Sequence, residues 1–190
     1  MRSLVILFAL FALFGCAPTL PLDATLTLTV AAQPGGGYPA GTAATLQGSD
    51  KRADSAVISY AIKDDPPVML PSRHDPQIIL TEKLAIGFRE QGLVFEHQAP
   101  ARLILEIEGL LATVTKPKLL YNTEAISVVA LTVTKHGNSL TKRYKKESSR
   151  ASATRPDLED VEALLNEQLS RIVEQILADG EIRAIIVGGS

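Results

Sequence analysis

Apolar and polar positions alternate from Leu22 to Val30, with Leu22, Ala24, Leu26, Leu28 and Val30 set against Asp23, Thr25, Thr27 and Thr29. A period of two over that length predicts a strand with one buried face. The stretch from Gln33 to Gly41 carries Pro34, Gly35, Gly36, Gly37 and Pro39 and cannot hold regular structure, so a flexible loop is expected near 33–48. After Asp50-Lys51-Arg52-Ala53-Asp54, a second strand is expected from Ala56 to Lys63, broken by Asp64-Asp65-Pro66-Pro67.

The period then changes. Asp75-Pro76 reads as an N-cap acceptor followed by proline at the first helical position, and Leu80, Leu84 and Phe88 share one face of a helix running to Gln91, with Gly92 as its stop. Ala101 to Thr115 predicts a long strand whose apolar parity switches at Gly109, the mark of a bulge. Asn122 to Lys135 is apolar on both faces, as a central strand would be. A His136-Gly137-Asn138 turn leads into Ser139 to Ser149, polar and basic with only Leu140 and Tyr144 as apolar anchors, and therefore an edge strand. A second helix starts at Pro156-Asp157 and reaches Ala178, with Leu158, Val161, Leu165, Leu169, Ile172 and Ile176 in one stripe. Glu181 to Val187 adds one apolar turn or a short strand. This order predicts a single α+β domain, a largely antiparallel β-sheet of about five strands with two helices packed on one face.

The N-terminus has a separate logic. Met1-Arg2-Ser3 supplies an early positive charge, Leu4 to Phe14 is unbroken apolar sequence, and Leu13-Phe14-Gly15-Cys16 closes the segment. As a helix that run would span only about 16 Å, against about 30 Å for a bilayer core, so it predicts an export signal and not a membrane-spanning anchor. Cys16 is the sole cysteine of the chain, so it has no partner for an internal disulfide. Its place predicts cleavage after Gly15 and acylation of Cys16. The expected division is a signal peptide over 1–15, a lipidated tether over 16–21 and a periplasmic domain over 22–190. Ala17 stands where an aspartate would signal retention in the inner membrane, so the outer membrane is the expected destination.

Composition narrows the function classes. A formal charge of −2 gives no basic field for nucleic acid, and aromatics at 5% without tryptophan argue against a sugar-stacking cleft. With one cysteine and 3 histidines, no Cys/His zinc site is expected, and no cofactor is implied. Arg73-His74-Asp75, the pair Glu106 and Glu108, and Ser49 and Ser55 lack the partners or spacing of catalytic groups, so no catalytic residue is assigned. Asp50 and Arg52 read first as a structural hydrogen-bond clamp at a sheet margin and second as a partner contact. Lys142, Arg143, Tyr144, Lys145 and Lys146 form the densest charge cluster, its four cations split two and two across the faces of the strand so that neither face alone is a strong patch. Their plain reading is lysine protection of an edge strand, and their functional one is contact with acidic headgroups or an acidic protein.

Taken in this order, Leu13-Phe14-Gly15-Cys16, Asp50-Lys51-Arg52-Ala53-Asp54, Arg89-Glu90-Gln91-Gly92, Tyr121-Asn122, Gly137-Asn138 with Leu140-Thr141-Lys142, and the long helix after Ser152 resemble the YajG-type family of small bacterial lipoproteins. The chain departs from that pattern at Pro34 to Gly41 and at Pro66-Pro67. The resemblance implies an acylated envelope protein of no established activity. The expected role is non-enzymatic: a lipid-anchored domain binding a protein partner in outer-membrane or envelope assembly and maintenance. The alternative is a ligand-binding module for a lipid or cell-wall fragment.

Overall fold

The structure, a computed structural model, describes residues 23–31, 37–62 and 66–188. Cys16, the signal and tether, Leu22, the glycines at 35 and 36, and Lys63, Asp64 and Asp65 lie outside the described residues, as do the expectations placed on them. The strands are β1 (Ala43–Asp50), β2 (Ala56–Ala61), β3 (Val68–Pro71), β4 (Val94–Phe95), β5 (Ala101–Thr115), β6 (Tyr121–Lys135) and β7 (Asn138–Ser152). The helices are α1 (Pro76–Glu90), α2 (Leu158–Ala178) and α3 (Gly180–Val187).

Strand β5 is the axis of one mixed seven-stranded sheet. Along one edge it pairs antiparallel with β6 over its whole length, and β6 pairs in turn with β7. Its other edge is shared by two parallel strands: β1 covers Ala101 to Ile107 and β2 covers Ala112 to Thr115. The short β3 and β4 complete the far side, antiparallel to β2 and parallel to β1 respectively. The domain is α+β as expected, with the sheet largely though not purely antiparallel. The bulge falls between Ile107 and Gly109, where the sequence changes parity. It lets Leu103, Leu105 and Ile107 on one side of it and Leu110, Ala112 and Val114 on the other all face the core.

Four expectations need correction. Ala43–Asp50 is a strand, although the loop was expected to run to 48; only Ala44 of β1 is fully buried, so it shows almost no apolar alternation. Beside it Gly48 leaves room for Thr81 of α1, which a Cβ would strike. Glu181 to Val187 belongs to a helix, capped by Asp179, whose side chain accepts from the N–H groups of Glu181 and Ile182. Asp75 does occupy the N-cap position of α1, but its side chain makes no capping hydrogen bond.

The fourth correction concerns the alternating segment. Ala24, Leu26 and Leu28 are buried as predicted, yet the segment is not a sheet strand beyond a single parallel bridge from Ala24 to Ser72. Its outward N–H groups are met by side chains of α2. Thr25 donates to Glu162 at 2.6 Å, Thr27 to Asn166 at 2.9 Å, Thr29 to Ser170 at 3.2 Å and Ala31 to Glu174 at 3.4 Å. Four residues of helix rise about 6.0 Å while two extended residues advance about 6.6 Å, so the two repeats stay nearly in step. The steady lengthening of the bonds is what that small mismatch produces. The extended conformation was legible; the partner supplying its hydrogen bonds was not.

Helix α2 turns its other side to the sheet. Val161, Leu165, Leu169, Ile172, Val173 and Ile176 are buried in one contiguous core with the inward residues of β5 and β6. Among them the buried Gln168 donates to the Ala125 carbonyl and the Ser148 hydroxyl and accepts from Ser127, so its amide ties α2 to both β6 and β7. Gly87 of α1 faces Leu177 so closely that a Cβ would overlap it.

Leu165→Asp or Ile172→Asp should abolish cooperative thermal unfolding, since each puts an unpaired charge at a site with no solvent access. Gly87→Val should keep the fold but lower stability by about 1–3 kcal/mol through overpacking against Leu177. Unchanged melting temperatures in all three variants would contradict this packing.

Candidate functional site: the outward sheet face and its basic edge

Helices cover one face of the sheet and leave the other outward. Along β7, the pairing and burial pattern put Leu140, Lys142, Tyr144, Lys146 and Ser148 on the helix side and Thr141, Arg143, Lys145, Glu147 and Ser149 on the outward side. The basic cluster is therefore divided between two surfaces with different partners.

On the helix side, Asp179 is the hub. Its Oδ2 accepts from the Tyr144 hydroxyl at 2.8 Å and pairs with the Lys142 ammonium at 2.6 Å, while Oδ1 accepts the first N–H groups of α3. Burial alone would raise the Asp179 carboxyl. The donors Lys142, Tyr144 and the Ile182 and Glu181 N–H groups outweigh it and hold the group below the ordinary carboxylate range. Burial, then the neighbouring Asp179 carboxylate, push the Tyr144 phenol well above its ordinary value. Lys142 also reaches Glu181 at 3.3 Å, and Lys135 donates to the Ile186 carbonyl at the other end of α3. The short helix is thus clamped at both termini, and Lys142 and Tyr144 are engaged in that clamp.

On the outward side, Ser49, Glu106, Ala130 and Arg143 stand in one row across β1, β5, β6 and β7. Lys51 pairs with Glu106 at 3.6 Å and Arg143 with Glu108 at 2.8 Å, so the two glutamates on β5 neutralise cations from either side. Next to this charged row, Leu111, Thr113, Glu124, Ile126, Glu147 and Ser149 line an open groove of about 500 Å³. Beyond the groove, β7 pairs only with β6; among the described residues, no backbone group hydrogen-bonds to its other edge. Lys145 pairs with Glu147 on its own strand at 2.7 Å.

Asp50 and Arg52 sit across β5 from that edge, where β1 gives way to β2. The Arg52 side chain, only 6% exposed, forms a bidentate pair with Asp50 and donates to the Ala56 and Leu110 carbonyls. It fills the gap between two strands that share one edge of β5, opposite the bulge. Burial would raise the Asp50 carboxyl, but the hydrogen bonds from Arg52 more than reverse it. Arg73 pairs with Asp23 at 2.9 Å and so helps hold the N-terminal segment. Among the described residues no group of three His, Cys, Asp or Glu side chains could hold a metal ion. Cys16 lies outside the described residues.

Sequence reading overlooked Asp179 and Gln168. Asp179 carried a usable signal, an acid followed by Gly180-Glu181 at the start of an apolar run. Gln168 carried none: it lies within the apolar stripe of α2, and only the positions of Ala125, Ser127 and Ser148 make it useful there.

Comparison with known proteins places this geometry. A family described as "Uncharacterized lipoprotein" matches residues 38–187. The fold is similar to that of protein XCC0632 from Xanthomonas campestris, at TM-score 0.60 and 12% identity, covering 88% of this chain and 97% of that one. A weaker likeness is to the hypothetical protein CT253 from Chlamydia trachomatis, at TM-score 0.42 and 10% identity, covering 82% of this chain and 100% of that one. No curated protein matches the chain significantly. No helix among the described residues is long and apolar enough to cross a membrane.

Two outcomes test the Asp179 hub. Tyr144→Phe should lower stability at neutral pH by about 1–2 kcal/mol, through loss of a hydrogen bond to a charged acceptor. Because the folded carboxyl titrates below the unfolded one, its contribution is complete above the unfolded value of 3.8 and is lost as pH falls through the folded value. Asp179→Asn should therefore lower the melting temperature at neutral pH and flatten its decline below about pH 4. An acid limb identical to that of the parent protein would contradict the hub.

Proposed function

Given that the chain belongs to this family of uncharacterized lipoproteins, matched over residues 38–187, we propose that it is a non-enzymatic, lipid-anchored envelope protein of the YajG-type branch. Acyl chains on Cys16, palmitate among them, hold it at the periplasmic face of the outer membrane. Its domain binds a protein partner in envelope assembly or maintenance. The single cysteine behind an apolar run too short to span a bilayer supports the anchor.

The observation that carries partner binding is the open edge of β7. A strand from Asn138 to Ser152 with one edge unpaired among the described residues offers a row of backbone donors and acceptors to an added strand. Lysines protect such an edge from indiscriminate pairing while leaving it available to a partner of matching charge. The half-buried Ile126, Val128 and Leu111 on the outward face give that partner an apolar surface beside the edge. Asp50, Arg52, Lys142 and Tyr144 support this surface from within, Arg143 and Lys145 contact the partner, and Lys146 flanks the edge on the helix side.

The groove beside Leu111 and Ile126 favours a second reading, since its volume is within the range of small-molecule sites. Its openness and its Glu124 and Glu147 walls suit a lipid or cell-wall fragment less well than a polypeptide.

Photo-crosslinking in cells from probes replacing Lys145 and Glu147, with Lys142, Tyr144 and Lys146 as helix-side comparisons, should give a discrete protein adduct from the outward pair. Adducts with lipid or glycan alone would replace partner binding by the ligand reading, and no adduct would remove both from this edge. Cys16→Ala should abolish incorporation of labelled palmitate and leave the protein uncleaved or unanchored. Continued labelling would contradict acylation at Cys16.

A further inference from the structure

The β5–β6 hairpin ends in Lys116-Pro117-Lys118-Leu119-Leu120 before Tyr121 opens β6. Leu119 is 86% exposed and Leu120 50% exposed, although most leucines among the described residues are in the core. Turns normally carry polar residues, and a pair of leucines at a tip fills no space inside the domain. The Lys116 ammonium lies 4.4 Å from the centre of the Tyr121 ring, giving the base of the tip a cation and an aromatic ring side by side.

The same end of the sheet carries more exposed apolar surface. Ala61 is in register with Thr115, and Tyr60 with Val68, so the start of β3 lies near the hairpin tip. Val68 and Met69 are both exposed there. Between them and α2, Arg155 stacks on the Tyr60 ring at 4.8 Å.

The chain also enters the domain from this end. Ala24 bridges Ser72 in parallel, and β3 runs away from the tip, so the described chain travels from the tip end inward alongside α2. From the level of Asp23, the base of the tip is about 17 Å away along the strands and the His136-Gly137 turn about 30 Å. From Cys16 to Asp23 the chain can extend at most about 24 Å, which reaches the near end and not the far one.

We propose that the Lys116–Tyr121 tip is a membrane foot, in which Leu119 and Leu120 enter the acyl boundary of the bilayer that holds the lipid anchor, with Lys116, Lys118 and Tyr121 at headgroup level. The inference rests on acylation of Cys16 and adds an orientation to it. The domain stands on this end, and the outward face and the β7 edge rise at right angles to the bilayer, accessible from the side. Asp157, Glu159 and Asp160 at the start of α2 lie at the same end and offset Lys116, Lys118 and Arg155, so apolar insertion and not charge leads the contact. Long lysine stems beside the leucines can keep their ammonium groups in the headgroup layer.

The chain has no tryptophan, so one placed at the tip reports alone. Leu119→Trp in the acylated protein, reconstituted in zwitterionic phosphatidylcholine vesicles, should show blue-shifted emission. Brominated acyl chains should quench it roughly threefold or more beyond an Asn138→Trp control at the far end. Both signals should survive high salt. Equal quenching of the two variants, or quenching that needs anionic lipid and vanishes in salt, would overturn the foot. So would a blue shift that depends on protein concentration without vesicles, which would make the tip a contact between copies of this chain. The intact mass of the same sample separates the two layers: an acylated Cys16 with an unquenched tip defeats the foot alone. An unmodified Cys16 defeats the anchor and the inference that rests on it.

Discussion

Helix α2 holds the molecule together because it satisfies two incompatible surfaces at once. Its apolar side fills the core against β5 and β6, while Glu162, Asn166, Ser170 and Glu174, spaced four apart, accept the backbone N–H groups of the N-terminal segment. Hydrogen-bonding potential that a strand would normally meet with another strand is met here by helix side chains. The N-terminal segment is therefore built onto the most buried helix of the domain, while Ala24 and Asp23 add contacts to Ser72 and Arg73 at the sheet margin.

Charge is distributed so that each face of the sheet is closed in a different way. On the helix side, Asp179 gathers Lys142, Tyr144 and the start of α3 into one half-buried node. On the outward side, Glu106 and Glu108 pair with Lys51 and Arg143 across β5 and β7. Exposed pairs of that kind contribute little to stability, typically under about 1 kcal/mol each. Their effect is on the surface itself, which stays near neutral between β1 and β7. The cost of dehydrating it against a partner is lower than its count of charged residues suggests.

The long elements were legible in the sequence because their patterns repeat many times. Leu80, Leu84 and Phe88, the parity switch at Gly109, and the stripe from Leu158 to Ile176 each place several residues in the core, and the structure follows them. Elements of one or two core residues were not legible. Strand β1 buries Ala44 alone, and β4 spans only Val94 and Phe95. The period of two at Leu22 to Val30 reported burial correctly and said nothing of the hydrogen-bond partner, because side-chain alternation is the same whether backbone or side chains accept. Among the site residues, the basic cluster stood out by charge and strand alternation divided it between two faces, whereas which face meets the helices depended on register with β6. The role of Arg52 as a buried plug required knowing that β1 and β2 share one edge of β5. The apolar tip at Leu119 and Leu120 drew no notice because its two leucines have no periodic partner.

Residue-resolved amide hydrogen exchange on the folded domain would decide whether α2 holds the N-terminal segment. The N–H groups of Thr25, Thr27 and Thr29 should exchange far more slowly than their intrinsic rates, and Asn166→Ala should release Thr27 first while leaving the β5–β6 amides protected. Exchange of all three at intrinsic rates in the parent protein, or no change at Thr27 in the variant, would show that the segment is not held by this helix.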